Sequence, residues 1–294
     1  MELRDVEVIR EQFSASDAKR DLGLRTPDNI QRYDNIAYDV HGDLNTLDVY
    51  HQKGVHTAMP TIVNIHGGGW IYGSKEVYQF YCMDLAQRGF TVVNFSYRLA
   101  PEDPWPAALV DINSVFTWIC EHAKEYCIDL NNVFIVGDSA GAQLTSQYVT
   151  LLTNKEFQRF YEFEMPTGDI HIRAVGLNCG FYDVKKYIQE GKEGCVYTYL
   201  GDRLEEAIPA MDTIKYITKD FPPAFIMTAH CDFLKDHAEP MYKTLTKLGI
   251  PCEYKVYGSP DRDDIAHVFH VNIKLEEAKE CNDDECNFFK QFIG

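Results

Sequence analysis

Six short apolar runs, at residues 61–65, 91–95, 133–136, 174–177, 224–228 and 252–257, are rich in Val, Ile and Phe, and most do not alternate with polar residues. A strand with one wet face alternates; a strand covered on both faces does not. Between these runs lie segments with helical features. Residues 77–88 end at Gly89, a residue suited to a helix C-cap, and residues 106–125 carry Leu109, Ile112, Phe116 and Ile119 at helical spacing. Residues 140–152 and 233–248 continue the alternation, the latter closed by Gly249 and Pro251. Strand and helix in repeated alternation predict an α/β fold, a mostly parallel sheet with helices on both faces. Upstream, residues 36–40 and 44–50 flank His41-Gly42-Asp43 and predict an antiparallel hairpin, which brings the sheet to eight strands. The first thirty-odd residues are polar and partly helical in character, closed by Pro27 and Asp28.

One stretch breaks the rhythm. Between the strands near 175 and 225 lie about 45 residues, too many for one crossover helix. They include Phe181, Tyr182, Tyr187, Tyr197 and Tyr199. A cap over the strand ends, with aromatic walls for a pocket, is the expected use of such an insertion. With no internal repeat or low-complexity linker, the 294 residues are expected to form a single domain, 1–294.

Charge and cysteines narrow the class of partner. Asp and Glu number 45 against 28 Lys and Arg, a formal charge of −17. A polyanion would be repelled at long range, so neither nucleic acid nor an anionic membrane surface is expected as a partner. The longest stretch without a formal charge, residues 54–74, holds two His, an Asn and several Gly, so no membrane insertion is expected. The N-terminus is charged throughout and lacks the apolar core of a secretory signal. Nine cysteines with no CxxC pair favour a reduced, cytoplasmic setting over a disulfide framework or a Cys-based zinc site.

The chemistry is carried by Gly137-Asp138-Ser139-Ala140-Gly141, placed directly after the 133–136 run and before a helix. A sharp strand-to-helix turn there holds the Ser139 hydroxyl clear of the sheet, at the positive end of a helix. About seventy residues upstream, His66-Gly67-Gly68-Gly69-Trp70 follows the 61–65 run. Consecutive glycines let backbone N–H groups face a site, as acyl transfer requires for the charge that gathers on the carbonyl oxygen. No phosphate-loop pattern competes with that use. An acid and a histidine should follow the serine in chain order. Asp232 follows the 224–228 run, with Asp236 as the alternative. His267 and His270 both lie after the last strand.

With these residues the chain resembles α/β-hydrolases of the hormone-sensitive-lipase-like esterase family. The resemblance rests on HGGGW at 66–70, YRLAPEDPWPAAL at 97–109, GDSAG at 137–141, DFLKD at 232–236 and HVFH at 267–270. It implies Ser139 as nucleophile, His267 as general base and Asp232 as its orienter, with an oxyanion hole from the backbone N–H groups of Gly68, Gly69 and Ala140. It further implies a buttressing role for His66, a cap built from about 1–33 and 181–220, and a homodimer through the last strand as a possibility. The chain departs from the family where residues 258–265 lengthen the turn before the histidine and Val268 stands in place of a glycine.

The expected function is a serine carboxylesterase acting on small neutral esters through an acyl-enzyme, without metal or cofactor. The rivals are an amidase or formamidase acting on small aryl-acyl amides, and a non-catalytic ligand receptor on the same fold. Trp70, Trp105, Phe181 and Tyr182 are candidate pocket walls. Asp261–Asp264 lacks the glycine and terminal glutamate of a calcium loop, and the acidic 276–286 segment is expected to be a solvated face. With Asp261, Asp263 and Asp264 near the histidine in sequence, anionic esters are expected to be poor substrates.

Overall fold

The structure, a computed structural model, describes residues 3–166, 168–189 and 194–294. Its sheet has eight strands: β1 (Ile30–Ala37), β2 (Thr46–Gln52), β3 (Met59–Ile65), β4 (Thr91–Phe95), β5 (Ile128–Asp138), β6 (Ile172–Asn178), β7 (Ala224–Ala229) and β8 (Cys252–Tyr257). They lie in the order β1-β2-β4-β3-β5-β6-β7-β8. The β1–β2 and β2–β4 pairs are antiparallel, and every later pair is parallel. From β3 the chain passes to β4 on one side, and from β4 to β5 on the other. The carboxyl ends of β3 and β5 therefore border a switch point, where open α/β sheets bind ligands.

Alternate strand residues explain why the runs read as continuously apolar. Val63, Ile65, Val93, Phe95, Val133 and Ile135 enter one core with α3 (Ala107–His122), α4 (Ala140–Thr153) and α8 (Lys235–Lys247). Ile62, Val92, Phe134 and Val136 enter a second core with α2 (Lys75–Gln87) and α9 (Glu276–Lys290). Both faces are dry, so neither parity of residue is polar.

The hairpin differs from its sequence reading. β1 begins six residues early, at Ile30, because Gln31-Arg32-Tyr33-Asp34-Asn35 forms a half-exposed edge strand in which Tyr33 alone is apolar. A register shift between Tyr33 and Ile36 accommodates Asn35 at φ 57°, with its N–H on Asp48 Oδ1 at 2.8 Å.

The expectation of a solvated C-terminal acidic face is corrected for half of α9. Ala278, Cys281, Cys286, Phe288 and Phe289 are buried against the sheet, and Glu285 is only 1% exposed. A charge count without helical phase could not separate the two faces. Glu285 Oε1 accepts from Asn178 Nδ2 at 2.8 Å and Oε2 from the Tyr81 hydroxyl at 3.3 Å. Burial pushes its carboxyl up to about 7, against the pull of these two donors. A carboxyl whose proton is held more tightly folded than unfolded stabilises the chain below its ordinary pKa and loses that contribution as the pH rises through 7. Glu285→Gln is therefore expected to be more stable than the parent at pH 8 by on the order of 2–3 kcal/mol, with the gain vanishing near pH 4. Thermal unfolding at the two pH values checks this; an equal difference at both would refute it.

Between β6 and β7, where a cap was expected, the described residues include the short helices α5 (Val184–Gln189), α6 (Gly194–Leu200) and α7 (Leu204–Met211). Residues 190–193 of that expected cap lie outside the described residues. The N-terminal helix α1 (Leu3–Asp21) is strongly polar and docks chiefly through side chains. Arg10 donates to the carbonyls of Ile71 and Ala100 and pairs with Glu102, and the Tyr72 hydroxyl donates to Asp17. No helix among the described residues is long and apolar enough to cross a membrane.

Candidate active site

Ser139 sits between β5 and α4 at φ 53°, ψ −117°, a conformation costly for any residue with a Cβ. Its N–H donates to the carbonyl of Asn178, at the end of β6, at 2.9 Å. What permits the turn is the absence of a side chain two residues on. A Cβ on Gly141 would overlap the carbonyl oxygens of Ile65 and His66 at the end of β3. The first turn of α4 is thus pressed onto the start of the glycine loop.

That loop is fastened from beneath. Gly67 N–H donates to Asp138 Oδ1 and to the Tyr78 oxygen, both at 3.1 Å, while the Tyr78 hydroxyl donates to Asp138 Oδ2 at 2.8 Å. Burial raises the Asp138 carboxyl to about 6, against the opposing hydrogen bond from Tyr78. His66 is fully buried and stacks on Tyr97, ring centroids 4.0 Å apart, and the Tyr97 hydroxyl donates to the His66 carbonyl. His66 Nδ1 faces the Gly67 carbonyl at 2.8 Å and so carries the proton. Burial lowers the His66 pKa to about 4, which keeps the ring neutral. Gly68 adopts φ +111°, and its carbonyl accepts the N–H groups of Ile71 and Tyr72. Among the described residues the N–H groups of Gly68 and Gly69 donate to no protein acceptor. Ala140 opens α4, where the first N–H groups lack intrahelical partners.

His267 Nε2 lies 2.9 Å from Ser139 Oγ, and its Nδ1 lies 2.7 Å from Asp232 Oδ1. The Asp232 carboxylate also accepts the Leu234 N–H at 2.9 Å and the Thr228 hydroxyl at 2.8 Å. Burial pushes this carboxyl up, but the hydrogen bond and charge of His267, with the other two donors, outweigh it and hold it below the usual range. His270 is elsewhere. It is 1% exposed, packs edge-on to Tyr81, and burial lowers its pKa to about 3. Asp236 takes the first turn of α8. His237 accepts the N–H groups of Tyr182 and Asp183 on Nδ1.

Three further residues border this constellation, and of them Cys179 carried no sequence signal. Cys179, at the end of β6, accepts the Val268 N–H on its sulfur at 3.4 Å. Its sulfur lies within 4.8 Å of ligand atoms of Asp232 and His267. Burial pushes the thiol far up, and the His267–Asp232 contact is a hydrogen bond, so an ion there would have to displace its proton. Val268 adopts φ 54°, the left-handed conformation that a glycine takes without strain, so the departure from the family pattern costs on the order of 1–3 kcal/mol. Phe233, 66% exposed, lies with its ring centroid 4.3 Å from that of His267.

The four candidate pocket walls lie in the core. Trp70, Trp105, Phe181 and Tyr182 are 3%, 2%, 4% and 0% exposed. Trp70 stacks on Tyr199 at 5.0 Å and meets Phe181 edge-on at 5.6 Å, and Trp105 is covered by Arg203. The side chain nearest to Gly69 is instead Cys195 of α6, whose sulfur would lie 3.3 Å from a Cβ placed there. The acidic loop is partly neutralised. Arg262 pairs with Asp264 and with Glu277, while Asp261 accepts from Ser259. All nine cysteines are free thiols.

The sequence profile of the BD-FAE family matches this chain from residue 47 to residue 239. An acetyl esterase of Salmonella dublin is 28% identical over 249 residues, covering 79% of this chain and 72% of that protein, and one from Salmonella typhi is 27% identical. Among solved structures, Esterase B from Lactobacillus rhamnosis superposes with a TM-score of 0.90 at 23% identity, over 99% of this chain and 94% of that one. An esterase from Pyrobaculum calidifontis gives 0.79 at 22% identity, over 97% and 93%.

Proposed function

As a member of the BD-FAE family the chain is a carboxylic ester hydrolase, and we propose that it cleaves small neutral esters through an acyl-enzyme on Ser139. The observation that carries the mechanism is the unbroken line of contacts from Ser139 Oγ through both nitrogens of His267 to Asp232. Asp232 accepts a hydrogen bond from the Nδ1–H, which holds the proton there and leaves Nε2 as a base facing the hydroxyl. As Ser139 Oγ bonds to the ester carbonyl carbon, its proton passes to Nε2 and the carbonyl electron pair moves onto oxygen. The N–H groups of Gly68, Gly69 and Ala140 receive that charge; losing one such donor costs ~10²–10³ in rate. Collapse of the intermediate expels the alcohol, which takes the proton from His267. A water then loses a proton to the same nitrogen, attacks the acyl carbon, and restores Ser139 as the acid leaves.

Two observations support a short acyl group. The Salmonella relatives are acetyl esterases. A long chain extending over Gly69 would meet Cys195 and, beneath it, the mutually packed Trp70, Phe181 and Tyr199. Residues of about 1–33 with those of 181–220 make up the proposed cap, within one domain over 1–294. Matched p-nitrophenyl acetate and p-nitroacetanilide test the reading. Turnover of the ester is expected, with that of the anilide far slower; faster anilide cleavage would favour an amidase, and turnover of neither an esterase-like receptor.

A further inference from the structure

We propose that Phe233 selects the alcohol half of the substrate, favouring esters of flat, apolar alcohols such as phenols and benzyl alcohol over esters of sugars or charged alcohols. This rests on the ester hydrolysis proposed above.

The first support is where the side chain stands. Phe233 is the residue after the acid, and the turn that carries it is anchored on both sides. Asp232 N–H donates to the Ala229 carbonyl, Asp232 Oδ1 accepts the Leu234 N–H, and the Asp232 carbonyl accepts the Lys235 N–H. Leu234 points into the core, 4% exposed, so Phe233 on the opposite side is held out, 66% exposed. An apolar ring held in water on a fixed turn offers apolar area that a bound apolar group would remove from solvent.

The second support is chemical. Protonation of the leaving oxygen requires it to reach His267 Nε2, so the carbon bonded to that oxygen must lie against the imidazole. The Phe233 ring packs on that imidazole, its centroid 4.3 Å from the imidazole centroid and its plane tilted by 50°. In the proposed arrangement the acyl half extends the other way, over Gly69. The alcohol therefore meets Phe233 and the acyl group does not. A second aromatic ring placed there can pack edge-on or offset on Phe233, whereas a hydroxylated sugar would lose hydration against it.

Acetates of methanol, phenol, benzyl alcohol and glucose, compared in the parent, Phe233→Leu and Phe233→Ala, test this. Relative to methyl acetate, kcat/KM for phenyl and benzyl acetate is expected to fall about threefold to tenfold in Phe233→Ala, with Phe233→Leu between. The preference against the sugar acetate should narrow by a similar factor. An acyl-length series on one alcohol should keep its shape, and the pH profile of kcat/KM should keep its position. Equal losses on all alcohols, or a displaced pH profile, would show that Phe233 acts only through His267 and overturn the proposal, as would no change. Labelling of Ser139 by an organophosphonate reports that each variant retains a formed site. A parent that cleaves none of the acetates would defeat the esterase reading itself, which the variants cannot do.

Discussion

Replacement of Ser139 by alanine is expected to lower kcat/KM for p-nitrophenyl acetate by at least about 10⁴-fold. The loss should be large because the other parts of the site have nothing to act on. Without Oγ, His267 has no proton to accept at 2.9 Å and the glycine-loop donors face a carbonyl that no side chain attacks. Residual turnover would then reflect water attack with the oxyanion donors in place. Stability should change little. Alanine at φ 53° bears the same Cβ strain as serine, and the N–H bond to Asn178 is a backbone contact. Steady-state kinetics beside thermal unfolding separate the two effects. A loss below tenfold with intact folding would remove Ser139 from the mechanism.

The second large effect is expected at Asp232, and here the surrounding donors set the order of two substitutions. Asp232→Ala removes both the partner that orients His267 and the charge that stabilises its protonated form, and should cost ~10⁴-fold in kcat. An asparagine behaves differently in this site. Leu234 N–H donates to Oδ1, the same oxygen that accepts from His267 Nδ1. An amide NH₂ cannot occupy that position without opposing two donors, so it turns toward Thr228, whose hydroxyl oxygen can accept it. His267 then keeps its tautomer, and Asp232→Asn forfeits charge without orientation. The expected order of activity is parent, then Asp232→Asn, then Asp232→Ala. Equal losses for the two variants would show that the Leu234 N–H does not fix the amide.

Much of this was written in the local sequence, and the parts that were not share a cause. The buried strands announced themselves because both faces are dry, and the serine turn because small residues flank it between a strand and a helix. The first part of β1, residues 30–35, did not, since an edge strand needs no apolar pattern. The short helices after β6 are held by contacts such as Trp70 on Tyr199, which no spacing encodes. Asp138 lies inside the recognised motif, yet its work depends on Tyr78, sixty residues upstream. Glu285 reads as one more acid until the fold lays it against Asn178. His267 and His270 are alike in their local sequence. Burial separates them, for only one reaches a carboxylate and a hydroxyl.

The press of Gly141 on the carbonyls of Ile65 and His66 divides the molecule into a part that descent with modification can touch and a part it cannot. Nucleophile turn and glycine loop are seated on each other backbone to backbone, so neither can drift without carrying the other, and side-chain exchange offers no intermediate route. New substrates must be acquired at residues whose neighbours are side chains alone. Phe233, whose ring packs on the His267 ring, meets that condition, and variation among relatives with different substrates should gather there while the β3–β5 seam stays silent.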